Sequence, residues 1–191
     1  MPRNPRLYQP MSFYHITSRS IERYLFKTEE DYYRFLNILY LSTKKHNVII
    51  CSYCLMRNHF HLIIQTPHYH ISNLIGQIKK QYSNYYNKQY NRKGPLYEKR
   101  FFAKEVIDNS SLLLTSSYVH FNPTRHNVVY NPHHYQYSSY KYYYDIQQKS
   151  PRLLTMSPIL NIFSGSIEDQ AKSYITWCEQ AWLQRNNRVK Q

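Results

Sequence analysis

His59-Phe60-His61 sets two imidazoles two residues apart inside the apolar, β-branched run from Met56 to Gln65. In a strand, residues i and i+2 share a face, so this spacing predicts that His59 and His61 project together while Phe60 and Leu62 face a core. Two adjacent neutral imidazoles make half of a divalent-metal site. The competing reading is a pair of solvent-facing polar residues, and spacing alone does not eliminate it. Cys51 and Cys54 lie just upstream, but three residues apart on a regular strand sends two thiols to opposite faces, which argues against a zinc site built from them.

A two-histidine site lacks a third ligand and a reacting group. The helix expected before Pro123 offers both. Tyr118 and Asn122 are four residues apart and so share a helix face, and a carboxamide oxygen is a hard ligand suited to Mg²⁺ or Mn²⁺. A phenol can attack phosphorus covalently, and a metal beside it would polarise a non-bridging phosphate oxygen. The chain has 22 tyrosines, so chemistry alone does not single out Tyr118.

The elements that must position these groups are legible in outline. Phe13 to Ser18 alternates as a strand. Thr28-Glu29-Glu30-Asp31 supplies a cap and three acids for a helix over 29–46, with Tyr32, Phe35, Leu36, Leu39 and Tyr40 at helical spacing. Val48 to Met56 is nearly continuous apolar sequence, as in a strand covered on both faces, and Arg57-Asn58 is a two-residue turn into the histidine strand. A polar-aromatic helix follows over 71–91 and ends at Asn91-Arg92-Lys93-Gly94-Pro95. Residues 100–106 read as a fourth strand, and Asp108-Asn109-Ser110 caps a helix that stops near Asn122-Pro123.

This order, β-α-β-β-α-β with an added helix, is that of an α+β ferredoxin-like antiparallel sheet with helices on one face. Residues 127–144 lose periodicity and read as a wrapping loop. Ser157-Pro158 and Ser166-Ile167-Glu168-Asp169 start further helices, the last with an apolar stripe of Ala171, Tyr174, Ile175, Cys178 and Trp182. The expected division is a domain over 1–144 and a small C-terminal helical appendage over 145–191.

A chain of 191 residues can bury about 70% of its unfolded surface without a covalent staple. Twenty-five Lys and Arg against 11 Asp and Glu give a formal charge of +14, which points to a polyanion, nucleic acid before a membrane surface. No apolar run of about 18 residues and no leader-like start at residues 1–6 are present, and three unpatterned cysteines suit a reducing compartment. The expectation is a cytoplasmic, non-membrane protein.

Four blocks in order, His15-Ile16-Thr17-Ser18-Arg19, Tyr53 to Leu62, Gly94 to Phe101 and Tyr118-Val119-His120-Phe121-Asn122-Pro123, resemble the Y1 (HUH) transposases of the IS200/IS605 superfamily. The first and last blocks most resemble the REP-associated tyrosine transposase branch. The resemblance spans about residues 12–144. It implies His59 and His61 as metal ligands, Asn122 as the third, and Tyr118 as nucleophile. The implied reaction is attack on a phosphodiester of single-stranded or hairpin DNA, giving a 5′-phosphotyrosine and a free 3′-hydroxyl, with rejoining as its reverse. The cofactor is Mg²⁺ or Mn²⁺, and no nucleotide is needed because the covalent link conserves the bond energy. The family usually has Pro in place of Arg57 and Gly in place of Ser20.

Lys79, Lys80, Tyr82, Tyr86, Arg92 and Lys93 are expected to line a groove where cations meet phosphates and rings stack on bases, and Lys99 and Arg100 to contact backbone phosphates. Tyr85 and Lys88 would extend that groove. His15 is either a neighbour of the metal or a core residue, and His120 and His126 are treated as surface imidazoles. The rival functions are a domesticated hairpin-DNA-binding protein without turnover and a replication-initiator or relaxase-like nickase. Relatives support either a monomer or a homodimer.

Overall fold

Along β1 (Phe13–Arg19), every second residue is buried, as expected of a strand that shows one face to a core and the other to a partly open site. The computed structural model describes residues 8–67 and 70–189, with side chains to residue 185. The reading of residues 1–6 lies outside them. After β1 come α1 (Glu29–Lys45), β2 (Ile49–Met56), β3 (His59–Gln65), α2 (Ile71–Gln89) and β4 (Phe102–Val106). The strands form one antiparallel sheet in the order β2-β3-β1-β4, the split arrangement read from the sequence.

One face of the sheet is covered by α1 and α2. There Ile16, Phe60, Leu62 and Ile64 pack with Phe35, Leu39, Leu74, Ile75 and Ile78. Helices α1 and α2 are the two expected on one face, and the second face is covered as well. It receives α3 (Asn109–His120), α4 (Asn122–Arg125), α5 (Tyr140–Tyr144), α6 (Ser157–Leu160) and α7 (Ile167–Val189). Cys51, Cys54, Met56 and Ile63 there share a core with Leu112, Leu113, Val119, Tyr143, Ile159, Tyr174 and Cys178. The core therefore does not divide at residues 144 and 145: the C-terminal helices complete it.

Residues 127–144 are more than a wrapping loop, because β2 is an edge strand and an edge leaves backbone groups unpaired. Leu55 N–H donates to Tyr137 O, Ser139 N–H to Tyr53 O and Thr155 N–H to Ile50 O. The hydroxyls of Tyr143 and Tyr135 donate to Cys51 O and Leu55 O. Hydrophobic periodicity cannot reveal a segment whose task is to satisfy an edge.

A bulge at Cys51 shifts the β2–β3 register, with Ile50 opposite Ile64 but Ser52 opposite Ile63. Cys51 and Cys54 consequently enter the same core, against the expectation of opposite faces. Burial pushes the thiols of Cys51, Cys54 and Cys178 well above the usual range, and all three are free.

With only three glycines in the chain, the left-handed residue after a helix is supplied by asparagine. Asn47, Asn91 and Asn127 follow α1, α2 and α4 with φ of 53°, 45° and 54°. The entry to α1 is fixed by Asp31, which is fully buried. Its carboxylate accepts from Lys27 N–H (2.7 Å), Thr28 N–H (3.1 Å), Tyr85 Oη (2.9 Å) and Tyr90 Oη (2.6 Å). Asp31→Ala strands two backbone donors and two phenols, and is expected to cost roughly 3 kcal/mol in urea unfolding. An unchanged midpoint would show that Asp31 does not hold this corner.

Candidate active site

Antiparallel pairing of β1 with β3 sets Thr17 opposite His61 and Arg19 opposite His59. His59 and His61 project from the same face, ring centroids 5.0 Å apart, while Phe60 and Leu62 enter the opposite core. His15 joins them: its Nε2 lies 3.0 Å from His61 Nδ1, and the two rings stack at 5.2 Å. Burial dominates the protonation of all three. It lowers His15 and His59 to about 4 and takes His61 further below its usual value, with neighbouring positive charge adding to the effect. All three imidazoles are therefore neutral near pH 7 and carry lone pairs.

Tyr118 leaves α3 toward this group. Its half-buried ring stands edge-on to His61 at 5.5 Å and to His15 at 5.9 Å. Asn122 is fully buried, and its Oδ1 lies 3.3 Å from His59 Nε2. The helix does not simply stop at Pro123. It breaks at Phe121 and resumes as α4 with the proline in its first turn, where a missing N–H costs nothing. Tyr118 and Asn122 thus sit on either side of a break, one beside each histidine.

The proton positions make this arrangement a fit for a cation. Asn58 Oδ1 lies 2.7 Å from His59 Nδ1, so Nδ1 carries the hydrogen and Nε2 a lone pair. That lone pair faces the Asn122 oxygen, acceptor against acceptor, and Asn122 Nδ2 is buried without a partner. In the tautomer where His61 Nδ1 donates to His15 Nε2, His61 Nε2 keeps its lone pair. His59, His61 and Asn122 can therefore hold a divalent metal, with His15 and Asn58 fixing the tautomers from behind. Among the described residues no three His, Cys, Asp or Glu side chains form a metal-binding group.

His120 is not a surface imidazole. It is fully buried, with Nδ1 2.7 Å from Tyr174 Oη and Nε2 2.8 Å from Ser139 Oγ. Tyr174 Oη also meets Ser116 Oγ at 2.6 Å, which meets Ser52 Oγ at 2.8 Å. Ser139 Oγ in turn accepts from Tyr53 N–H at 2.9 Å. A continuous polar chain thus ties the C-terminal part of α3 to β2, to the start of α5 and to α7. Ser116, two residues ahead of Tyr118, is a link in it.

The two departures at the turns are accommodated. Ser20 Oγ donates to Leu96 O and accepts from Glu22 N–H, and Arg57 lies 4.2 Å over the Tyr24 ring.

The expected DNA groove on α2 needs correction. Tyr82 and Tyr86 are fully buried, their hydroxyls donating to Leu25 O and Tyr24 O, so neither ring can stack on a base. Tyr85 is held by Asp31. Lys79 donates to Lys99 O and sits 4.3 Å over Tyr97, its ammonium lowered to about 8 by burial. Arg92 is paired with Glu22 at 2.6 Å. Lys80, Lys93, Lys99 and Arg100 are exposed. Helix α2 packs on the Phe60 face, opposite the histidines, because its tyrosines fall on the same stripe as Ile71, Leu74 and Ile78.

Sequence reasoning passed over groups that share the histidine face. Lys104 pairs with His15 and Phe102 with Thr17, and the His126 ring lies 6.0 Å from that of His59. Arg125 and Arg185 flank Tyr118 at 5.6 and 5.4 Å. The composition of residues 100–106 carried the β4 signal, but only strand register shows that Phe102 and Lys104 join the histidine face. Nothing local in the sequence pairs Arg185 with Tyr118.

Comparison with known proteins followed from this geometry. The family model for IS200-like transposases matches residues 10–122. A search of characterised proteins found no match. Among solved structures, a REP-associated tyrosine transposase bound to a REP hairpin superposes with TM-score 0.65 at 16% identity, covering 87% of this chain and 93% of that one. A Deinococcus radiodurans protein described as a transposase gives 0.43 at 15% identity over 58% of this chain and 91% of that one, too loose to carry an argument. The first likeness shows the fold.

Removing the phenol hydroxyl at the centre of the polar chain, Tyr174→Phe, leaves His120 Nδ1 unpaired and Ser116 Oγ with Ser52 alone, with an expected loss of about 1–3 kcal/mol in urea unfolding. No loss would mean that the chain contributes nothing to docking α3. Burial lowers His120 to about 3, below an unfolded value of about 6.5. Its contribution is therefore complete above pH 6.5 and drains away as pH falls toward 3. His120→Gln should lose less stability than wild type between pH 7 and 5. Equal slopes would contradict a buried neutral imidazole.

Proposed function

For a chain that belongs to the IS200-like transposase family, we propose a metal-dependent single-strand DNA transposase that cuts and rejoins through Tyr118. The observation that carries this reading is the convergence of one phenol with His59, His61 and Asn122 on one face of the sheet.

In the proposed reaction the Tyr118 oxygen attacks the scissile phosphorus and the P–O3′ bond breaks. The 3′ oxygen takes a proton, and the 5′ phosphate stays on Tyr118. Attack by a second 3′-hydroxyl reverses the step and joins strands. A bound Mg²⁺ or Mn²⁺ would polarise a non-bridging oxygen and offset the charge that gathers there. His59, His61 and Asn122 would hold it. His15 and Asn58 keep the histidine lone pairs aimed forward, and burial keeps the imidazoles from being lost to protonation.

Hairpin DNA of the REP type is the substrate favoured by two lines of support. One is the fold shared with a transposase bound to a REP hairpin. The other is the +14 charge, with Lys80, Lys93, Lys99 and Arg100 exposed for backbone phosphates. Among the described residues no helix is long and apolar enough to cross a membrane.

The test is adduct formation with a hairpin-bearing oligonucleotide, read on a denaturing gel. Wild type with Mn²⁺ should give a covalent band that is lost with chelator and in Tyr118→Phe. Asn122→Ala should reduce the rate by about 10-fold to 100-fold and raise the metal concentration required. An adduct that persists in Tyr118→Phe would refute the nucleophile. Hairpin binding without any cleavage would favour a binding protein.

A further inference from the structure

Beyond Tyr118, on the side away from the sheet histidines, a cleft of about 450 Å³ runs between α3–α4 and α7. Its lining includes Arg125, Arg185, Trp177, Trp182, Leu114 and Phe121, and no Asp or Glu lines it. The guanidinium carbons of Arg125 and Arg185 lie 5.6 and 5.4 Å from the Tyr118 ring centroid. Among the described residues the ion pairs are Arg19 with Glu98 and Arg92 with Glu22, so neither arginine of the cleft is neutralised by a carboxylate. Two like charges converging on one ring repel each other, and the arrangement improves when an anion sits between them.

We infer that this cleft is the subsite for the nucleotide that stays joined to Tyr118. Arg125 and Arg185 grip its phosphates, and the indole of Trp177 or Trp182 receives its base. The inference rests on the reading of Tyr118 as nucleophile and adds α7 to the DNA site. Tyr118 has the histidines on one side, so a strand whose phosphorus reaches the hydroxyl must leave on the other, and the cleft is the opening there. Its composition fits that occupant. Planar guanidiniums suit phosphate, and a half-apolar wall with indoles suits an unpaired base. The volume accommodates a small ligand and no duplex.

Trp177 and Trp182 are the two tryptophans of the chain and both line this cleft, so fluorescence excited selectively at tryptophan reads its occupancy. The experiment titrates the full chain with the 5′-phosphorylated trinucleotide pTpTpT, with inorganic phosphate and thymidine as comparators. Saturable quenching by pTpTpT is expected in wild type and equally in Tyr118→Phe. Apparent affinity should fall tenfold or more in Arg185→Gln and in Arg125→Gln, partly recovering in Arg185→Lys. Arg125 and Arg185 are exposed, so these variants should fold, which circular dichroism checks. No quenching, unchanged affinity in the arginine variants, or equal quenching by inorganic phosphate would overturn the proposal. The two readings fail separately. An adduct in Tyr118→Phe refutes the nucleophile without touching the quench, and a missing quench beside an adduct on Tyr118 refutes the cleft.

Discussion

The register of β3 between its two neighbours is the constraint on which the site depends. Because side chains alternate with period two, a slip of one residue would send His59 and His61 into the α1–α2 core and bring Phe60 and Leu62 to the open face. Burial forbids that slip. Phe60, Leu62 and Ile64 are fully enclosed on one face and Ile63 on the other. The same pairing brings β1 alongside, so that His15 stands behind His61. Two imidazoles become a group of three.

The phenol is brought to this group by a different device. Helix α3 lies on the second face, and its polar side chains are buried there, which is costly unless each is bonded. Ser52, Ser116, Tyr174, His120 and Ser139 meet that requirement as one connected chain. An apolar contact would allow α3 to slide by a fraction of a turn, whereas hydrogen bonds from Ser116 and His120, one turn apart near Tyr118, do not. The C-terminal helix is thereby part of the apparatus that aims Tyr118. Its position also explains where charge gathers, since Arg185 meets Arg125 at that ring while the cations of α2 lie on the far face of the sheet.

What the sequence made legible follows the physics of short range. The histidine pair, the two-residue turn at Arg57-Asn58, the acidic start of α1 and the helix before Pro123 are local patterns. The four-strand order followed from their sequence. Tyr82 and Tyr86 misled because a tyrosine is at once a stacking ring and a core residue, and only their stripe with Ile71, Leu74 and Ile78 decides which. The bulge at Cys51, the burial of His120 and the edge-satisfying role of residues 135–155 depend on partners distant in sequence. No periodicity encodes them. The carboxamide of Asn122 was found by its spacing from Tyr118, although the helix between them breaks.

Among the described tyrosines, it is the Tyr118 phenol that faces the histidine group. The most direct measurement is peptide mapping by mass spectrometry of the covalent protein–DNA species formed with a hairpin oligonucleotide and Mn²⁺. The account predicts a nucleotide remnant on the peptide containing Tyr118, attached through a 5′ phosphate. A remnant on any other tyrosine, or a 3′ linkage, would contradict it.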